Sequence, residues 1–278
     1  MPTILDHIVD STRSLVAARR REIPVHTLEN QPGFFRTPRS LAEALRPGGK
    51  PSDSLRFIAE CKKASPSKGI IRTEYDPAAH AVAYEAAGAS AVSVLTEPAF
   101  FQGSLDHLAA ARSRVELPLL RKDFVVDRYQ LVEARAFGAD AVLLIASILE
   151  PNELADLHDA AEAIGLSCLV ECYEESELEK LDFAQVRVVG VNNRNLHTFE
   201  VDRGHAARVL AQVPEAIVRV AESGLRTAAD FAAMRRAGLD AVLVGEAFMR
   251  APDPGEALAR LRAETGRLIE SITGSIHS

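Results

Sequence analysis

The stretch from Phe57 to Gly69, FIAECKKASPSKG, begins as an apolar run and ends in a cationic loop of Ser, Pro and Gly. Read as a strand, it places Glu60 and Lys62 on one face and Cys61 on the other, because side chains alternate with a period of two. An acid and a base two residues apart, at the end of an otherwise buried strand, are costly to desolvate. One such pair alone could be a strand-end ion pair and nothing more. The pattern recurs: four later apolar runs end in Lys122, Glu171, Asn192 and Glu222. Polar groups gathered at the same end of many strands are how a (β/α)8 barrel builds an active site.

On either side of each strand end, the chain alternates. Strands are expected at 57–62, 91–96, 118–122, 141–146, 167–171, 187–192, 217–222 and 241–245. Helical periods fill 77–87, 104–113, 128–137, 152–164, 175–181, 203–211 and 227–237. Strands rich in Val, Ile and Leu, separated by helices, specify a parallel sheet covered on its outer face. An internal echo supports closure. Gly88-Ala-Ser-Ala-Val92, Gly138-Ala-Asp-Ala-Val142 and Gly238-Leu-Asp-Ala-Val242 start at positions 50 and then 100 apart. Each is a glycine helix terminator feeding an even-numbered strand. The fold class is therefore α/β, a (β/α)8 TIM barrel. An open doubly wound sheet would want a glycine-rich turn after its first strand, where this chain has Lys63-Ala-Ser-Pro-Ser-Lys68.

Before the first strand lies an N-terminal helical extension, residues 1–50, and the barrel itself is expected over 55–270 of a single domain spanning 1–278. Residues 4–21 carry Ile4, Leu5, Ile8, Leu15 and Val16 on one side, and Arg19, Arg20 and Arg21 form a solvated helix end. A second short helix starts either at Thr37-Pro38 or at a Ser40/Glu43 capping box, and Pro47, Gly48 and Gly49 close it. The extension is too short to bury a core of its own and is expected to pack on the barrel. The tail Thr273–Ser278 is small and polar and is expected to fray.

Composition narrows the function classes. The chain has 278 residues, a net charge of -7 and 47% hydrophobic residues. That balance argues against broad nucleic-acid or acidic-membrane binding, while permitting a local cationic pocket. No apolar run approaches a membrane span. The start MPTILDHIVD lacks the basic region and apolar core of a secretory signal, so a cytoplasmic location is expected. Three cysteines, Cys61, Cys168 and Cys172, suit a reducing compartment better than a disulfide framework, and C-x3-C without a His pair does not read as a zinc site. His107, His158 and His205 fall in helical segments and are expected at the surface.

The strand-end groups favour acid/base chemistry without a metal or organic cofactor. Lys62 and Lys122 can bind anions or donate protons; Glu60, Glu171 and Glu222 can accept and return them; Asn192 and Arg194 can orient and hold anions. A phosphate site is expected at Ser223-Gly224 after strand 7 and Gly245-Glu246 after strand 8, through backbone N–H groups and a short helix at 246–250. The glycines would let the phosphate approach closely. The Glu246 carboxylate would repel a phosphate unless it turned away. Phe101, Phe124 and Leu196, just past strands 2, 3 and 6, could sandwich a flat ring.

FIAECKKASPSKG, SVLTEPAFFQGS, LRKDFVVDRYQ, LVECYEE, GVNNRNL, VAESG and VLVGEAFM together, in this order and spacing, resemble the indole-3-glycerol phosphate synthase family of tryptophan biosynthesis. The resemblance covers nearly the whole chain. It implies a small anionic sugar phosphate as substrate, 1-(2-carboxyphenylamino)-1-deoxyribulose 5-phosphate, closed to an indole with loss of carbon dioxide and water. It implies Lys122 as general acid on the ketone oxygen, Glu171 as acid or base of the dehydration, and Glu60 as the orienting partner of the lysines. Lys62 with Ser65 would hold the arene carboxylate, and Asn192 and Glu222 the sugar hydroxyls. It also allows contact with other tryptophan-pathway enzymes. Ala64 stands where some members carry a basic residue, and Glu246 where others carry a small one. The alternatives are another phosphate barrel, such as phosphoribosylanthranilate isomerase with a reactive Cys after strand 1, or a non-catalytic phosphate-barrel subunit.

Overall fold

The computed structural model describes residues 3–48, 55–195, 198 and 200–274. Eight parallel strands close on themselves: β1 (Arg56–Cys61), β2 (Ala91–Leu95), β3 (Leu119–Lys122), β4 (Ala141–Ile145), β5 (Ser167–Cys172), β6 (Val188–Asn192), β7 (Val218–Glu222) and β8 (Ala241–Val244). β1 completes the ring, pairing Phe57 with Val242 on one side and Ala59 with Val92 on the other. The (β/α)8 expectation is met, with every strand within a residue or so of its expected limits. The echo glycines Gly88, Gly138 and Gly238 have φ of 85°, 87° and 85°. Such a left-handed turn lets each helix stop and the next strand begin.

Alternation along the strands sorts side chains into two apolar layers. Ile58, Leu120, Leu143, Leu169, Val220 and Leu243 point into the barrel and fill it as one cluster. Phe57, Ala59, Cys61, Val92, Val142 and Val189 point outward and meet the surrounding helices. Toward the C-terminal ends of several strands the inner series turns charged or amide-bearing, at Glu60, Lys122, Glu171, Asn192 and Glu222, which line the cavity there.

The extension comprises α1 (Ile4–Glu22), α2 (Val25–Glu29), a 3-10 turn at Pro32–Phe35, and α3 (Leu41–Leu45). Ser40 caps α3, accepting the Glu43 N–H at 3.2 Å, so the second of the two expected starts is the real one. Leu41 and Leu45 are fully buried in the barrel's inner cluster, and the Leu41 N–H donates to the Ser167 hydroxyl at the start of β5. At the opposite end Leu5 and Ile8 of α1 enter the same cluster. The extension thus reaches both ends of the barrel.

Three expectations change. The segment 175–181 is a 3-10 helix, Glu175–Lys180, with Leu178 as its one buried residue. His158 is buried, at 5% exposure, because it shares the inner face of helix Pro151–Ala163 with Leu154, Leu157 and Ala161 at helical spacing. The arginines ending α1 are not all solvated. Arg19 lies 3.6 Å from Glu133, and Arg20 pairs with Asp127 and lies over the Tyr129 ring; Glu133 and Tyr129 belong to the helix Arg128–Ala136, and Asp127 is its N-cap. Gly49 and residues 275–278 of the tail lie outside the described residues.

Candidate active site

The last inward residues of the strands and the loops that follow them line one cavity at the C-terminal mouth of the barrel. β3 ends on Lys122, whose ammonium lies 2.9 Å from Glu171 of β5 and 3.4 Å from Glu222 of β7. Asn192, ending β6, donates to the other Glu171 oxygen at 3.3 Å and accepts the Arg194 N–H at 3.0 Å. Lys62, the first residue after β1, forms an ion pair with Glu60. Glu60, Glu171 and Glu222 are each no more than 3% exposed. Burying such a cluster opposes folding, and it persists because the charges compensate one another.

The compensation is uneven, and the unevenness sets the protons. Burial alone would push the Lys122 ammonium down, but Glu171, Glu222 and Glu60 outweigh it and hold it above the usual lysine range. Burial would raise the Glu171 carboxyl, but Lys122 and the Asn192 hydrogen bond bring it below the usual range. Glu222 goes the other way: burial, opposed by Lys122 and reinforced by Glu171 and Glu60, pushes it up to about 8. At neutral pH the mouth therefore holds a charged lysine, a charged Glu171 and a protonated Glu222.

Two glycines make room for these carboxylates. A Cβ on Gly190 of β6 would lie 2.3 Å from a Glu222 oxygen, and one on Gly245 would lie 2.3 Å from a Glu60 oxygen. Gly245 thus serves Glu60, a different reason from the phosphate approach that the sequence suggested. Gly224 also has its own reason: its φ is +75° and an added Cβ would meet Val201 at 2.3 Å. Ser223 shares the left-handed conformation with φ of 61°, so the two form one tight turn after β7.

One wall of the cavity is aromatic. Phe101 ends the short helix Pro98–Phe101, and Phe124 follows β3; their ring centroids are 5.9 Å apart and tilted by 39°. The opposite rim is cationic. Arg194 and Arg226 both approach Glu246, at 3.7 and 3.4 Å, and Arg250 donates to it at 3.1 Å. Burial would raise the Glu246 carboxyl, but Arg250, Arg226 and Lys68 hold it below its usual range. On this rim the arginines pair the Glu246 charge that the sequence reading set against a phosphate. The helix that Glu246 starts, Glu246–Met249, is a single turn.

A profile of the family described as Indole-3-glycerol phosphate synthase matches residues 5–261. A protein of that description from Salinibacter ruber is 56% identical over 274 residues, covering 98% of this chain and all of the relative. Another from Rhodopirellula baltica is 46% identical over 251 residues, covering 90% of this chain and 95% of the relative. The chain belongs to the indole-3-glycerol phosphate synthase family. Among solved structures, a thiamine phosphate pyrophosphorylase from Pyrococcus furiosus superposes with a TM-score of 0.57 at 16% identity, over 78% of this chain and 98% of that one, a likeness of fold.

For this synthase-family chain, the residues singled out from sequence converge. Glu60, Lys62, Ser65, Phe101, Lys122, Phe124, Glu171, Asn192, Arg194, Glu222, Ser223, Gly224, Gly245 and Glu246 all line the one cavity. Leu196 lies outside the described residues. The sequence reading missed Arg226, and it missed Ile4, Leu5 and Ile8, which α1 brings to the mouth. Arg226 stands two residues after Gly224, so the turn itself was the available signal. Cys61, which the isomerase alternative would need at the mouth, is fully buried behind β1, and burial pushes its thiol up. No helix among the described residues is long and apolar enough to cross a membrane.

Proposed function

We propose that this chain closes 1-(2-carboxyphenylamino)-1-deoxyribulose 5-phosphate to indole-3-glycerol phosphate, releasing carbon dioxide and water by acid/base chemistry of its own side chains. Family membership supports the activity. The observation that supports the residue roles is one ammonium, Lys122, held between two buried carboxylates and facing the same cavity as an aromatic pair. In this reading Lys122 protonates the ketone oxygen as the arene carbon attacks the ketone carbon. Lys62, beside Ser65, takes the arene carboxylate until it leaves as carbon dioxide. Glu171, kept ionised by Lys122, removes the proton in the dehydration, and Glu60 orients Lys62. Asn192 and Glu222 hold the sugar hydroxyls. The phosphate lies across the backbone of Ser223, Gly224, Gly245 and Glu246, with Arg194 and Arg226 supplying positive charge at the rim.

The same reading takes residues 55–270 as the barrel unit and 1–50 as an extension docked on it. The test is direct: purified protein with the carboxyphenylamino sugar phosphate, in the presence of a chelator, is expected to produce indole fluorescence. Absence of that product would overturn the assignment. A substrate lacking the phosphate is expected to turn over slowly even at saturation, because the remote anchor holds the bent, reactive conformation. Normal kcat with that substrate would reduce the phosphate to a handle.

A further inference from the structure

We propose that Gln130, a residue that does not line the cavity, is a positioning residue for the aromatic wall, acting through Phe124. The inference rests on the reading of Phe124 as the wall against the substrate's arene.

β3 ends at Lys122, so the main chain of Phe124 has no neighbouring strand to bind it. Side chains take over. The Phe124 N–H donates to the Asp123 carboxylate at 2.9 Å, and the Phe124 carbonyl accepts from Gln130 Nε2 at 3.0 Å. Gln130 Oε1 also accepts the Val126 N–H at 2.8 Å, so one side chain spans the loop on both sides of Val125. With its N–H and C=O both fixed, Phe124 has its backbone dihedrals set and its ring aimed at Phe101.

The clamp is itself held rigidly. Gln130 is 1% exposed on the helix Arg128–Ala136, and its own carbonyl accepts from Arg121 at 2.6 Å. Arg121 is fully buried and also donates to Asp123 at 2.9 Å and Glu133 at 3.2 Å. Asp123 accepts the Thr96 hydroxyl at 2.5 Å, tying the loop after β3 to the loop after β2 that carries Phe101. On that second loop Glu97 accepts the N–H groups of Ala99, Phe100 and Phe101. The aromatic pair therefore stands on a buried polar frame behind the cavity wall.

Position 130 requires both a donor and an acceptor on one side chain. Glutamine supplies them neutrally; a carboxylate supplies only acceptors, and methionine has the volume without either bond. Leaving the buried Phe124 carbonyl unpaired would let the loop relax and the ring drift.

The experiment is a double-mutant cycle on KM for the sugar phosphate, with thermal melts to confirm folding. Gln130→Met removes both bonds; Gln130→Glu keeps the Val126 bond and loses the Phe124 bond, and carries the cycle alone if the methionine variant does not fold. Each is expected to raise KM about fivefold or more, the loss typical of one buried hydrogen bond. In a Phe124→Ala background the same changes are expected to alter KM by less than about twofold, because the ring they position is gone. An equal rise in both backgrounds, or no rise in either, overturns the proposal. An unchanged KM in Phe124→Ala alone would instead show that the ring is not the substrate's wall, and both readings fall.

Discussion

Glu222→Gln tests the charge balance of the mouth. Three buried carboxylates, Glu60, Glu171 and Glu222, face two ammoniums, Lys62 and Lys122. One carboxylate is left without a counter-charge, and the excess falls on Glu222, whose carboxyl is pushed from 4.5 up to about 8 by burial first, against Lys122 and with Glu171 and Glu60. In the unfolded chain Glu222 gives up its proton near the ordinary value; in the folded protein it keeps it until about pH 8. Between those limits the folded state holds one proton more, so stability from this group is full below the unfolded pKa and is lost as pH rises through the folded one. The slope is at most about 1.4 kcal/mol per pH unit, giving an upper limit of roughly 2–3 kcal/mol between pH 5.5 and 7.5. Glutamine has the same shape and no proton to lose, so the variant lacks this slope. Urea unfolding of both proteins at pH 5.5, 6.5 and 7.5 is expected to show the parent losing about 2 kcal/mol relative to Glu222→Gln across the range. Parallel pH profiles would refute the argument and place the extra proton elsewhere.

Lys122→Ala is expected to lower kcat roughly 10²-fold or more while KM changes far less, as for a group that acts in the transition state; a kcat within a few-fold of the parent, by indole fluorescence, would remove Lys122 from that role. Gly245→Ala would place a Cβ 2.3 Å from a Glu60 oxygen and 3.0 Å from its carboxyl carbon, so the carboxylate must shift away from Lys62; kcat/KM is expected to fall about tenfold or more, and an unchanged value would mean that the Glu60 position is immaterial. Deleting residues 1–23 removes Ile4, Leu5 and Ile8 from the mouth but keeps Leu41 and Leu45 in the barrel's base. KM is expected to rise with far-UV CD still showing the barrel, and complete unfolding would show that α1 belongs to the folding core.

The fold was legible because two periodic signals agree. Apolar runs of strand length recur with helices between them, and Gly88, Gly138 and Gly238 mark helix ends at a spacing the barrel repeats. The site was legible because an inward strand position that changes from aliphatic to charged stands out, as at Glu60, Lys122 and Glu171. What stayed hidden depends on contacts distant in sequence. Gly190 reads as a weak point in a strand until Glu222, far along the chain, is found occupying the space its missing side chain leaves. Arg121 does not stand out beside Lys122 in the sequence, yet alternation turns it outward under the helix Arg128–Ala136, where Asp123 and Glu133 pair it. The apolar face of α1 announced burial, but nothing local says that Leu5 and Ile8 end at the mouth while Leu41 and Leu45 end at the base.

A lysine held above its usual range is at first sight a poor general acid. Burial would have loosened the Lys122 proton, and Glu171, Glu222 and Glu60 reverse that. On the proposed chemistry the reversal is useful. Lys122 remains charged through the neutral range, so the acid is present in every molecule. It cannot give its proton to water or to an idle carbonyl, both weak bases. As the ring closes, the ketone oxygen becomes an alkoxide, a base strong enough to take a proton even from a stabilised ammonium. Donation then coincides with bond formation and not before. The same two carboxylates that hold the ammonium are thereby set apart, Glu171 ionised and Glu222 protonated, within reach of one substrate. On the proposed chemistry these opposite protonation states leave Glu171 free to take the proton of the dehydration, while protonated Glu222 can donate a hydrogen bond to a sugar hydroxyl.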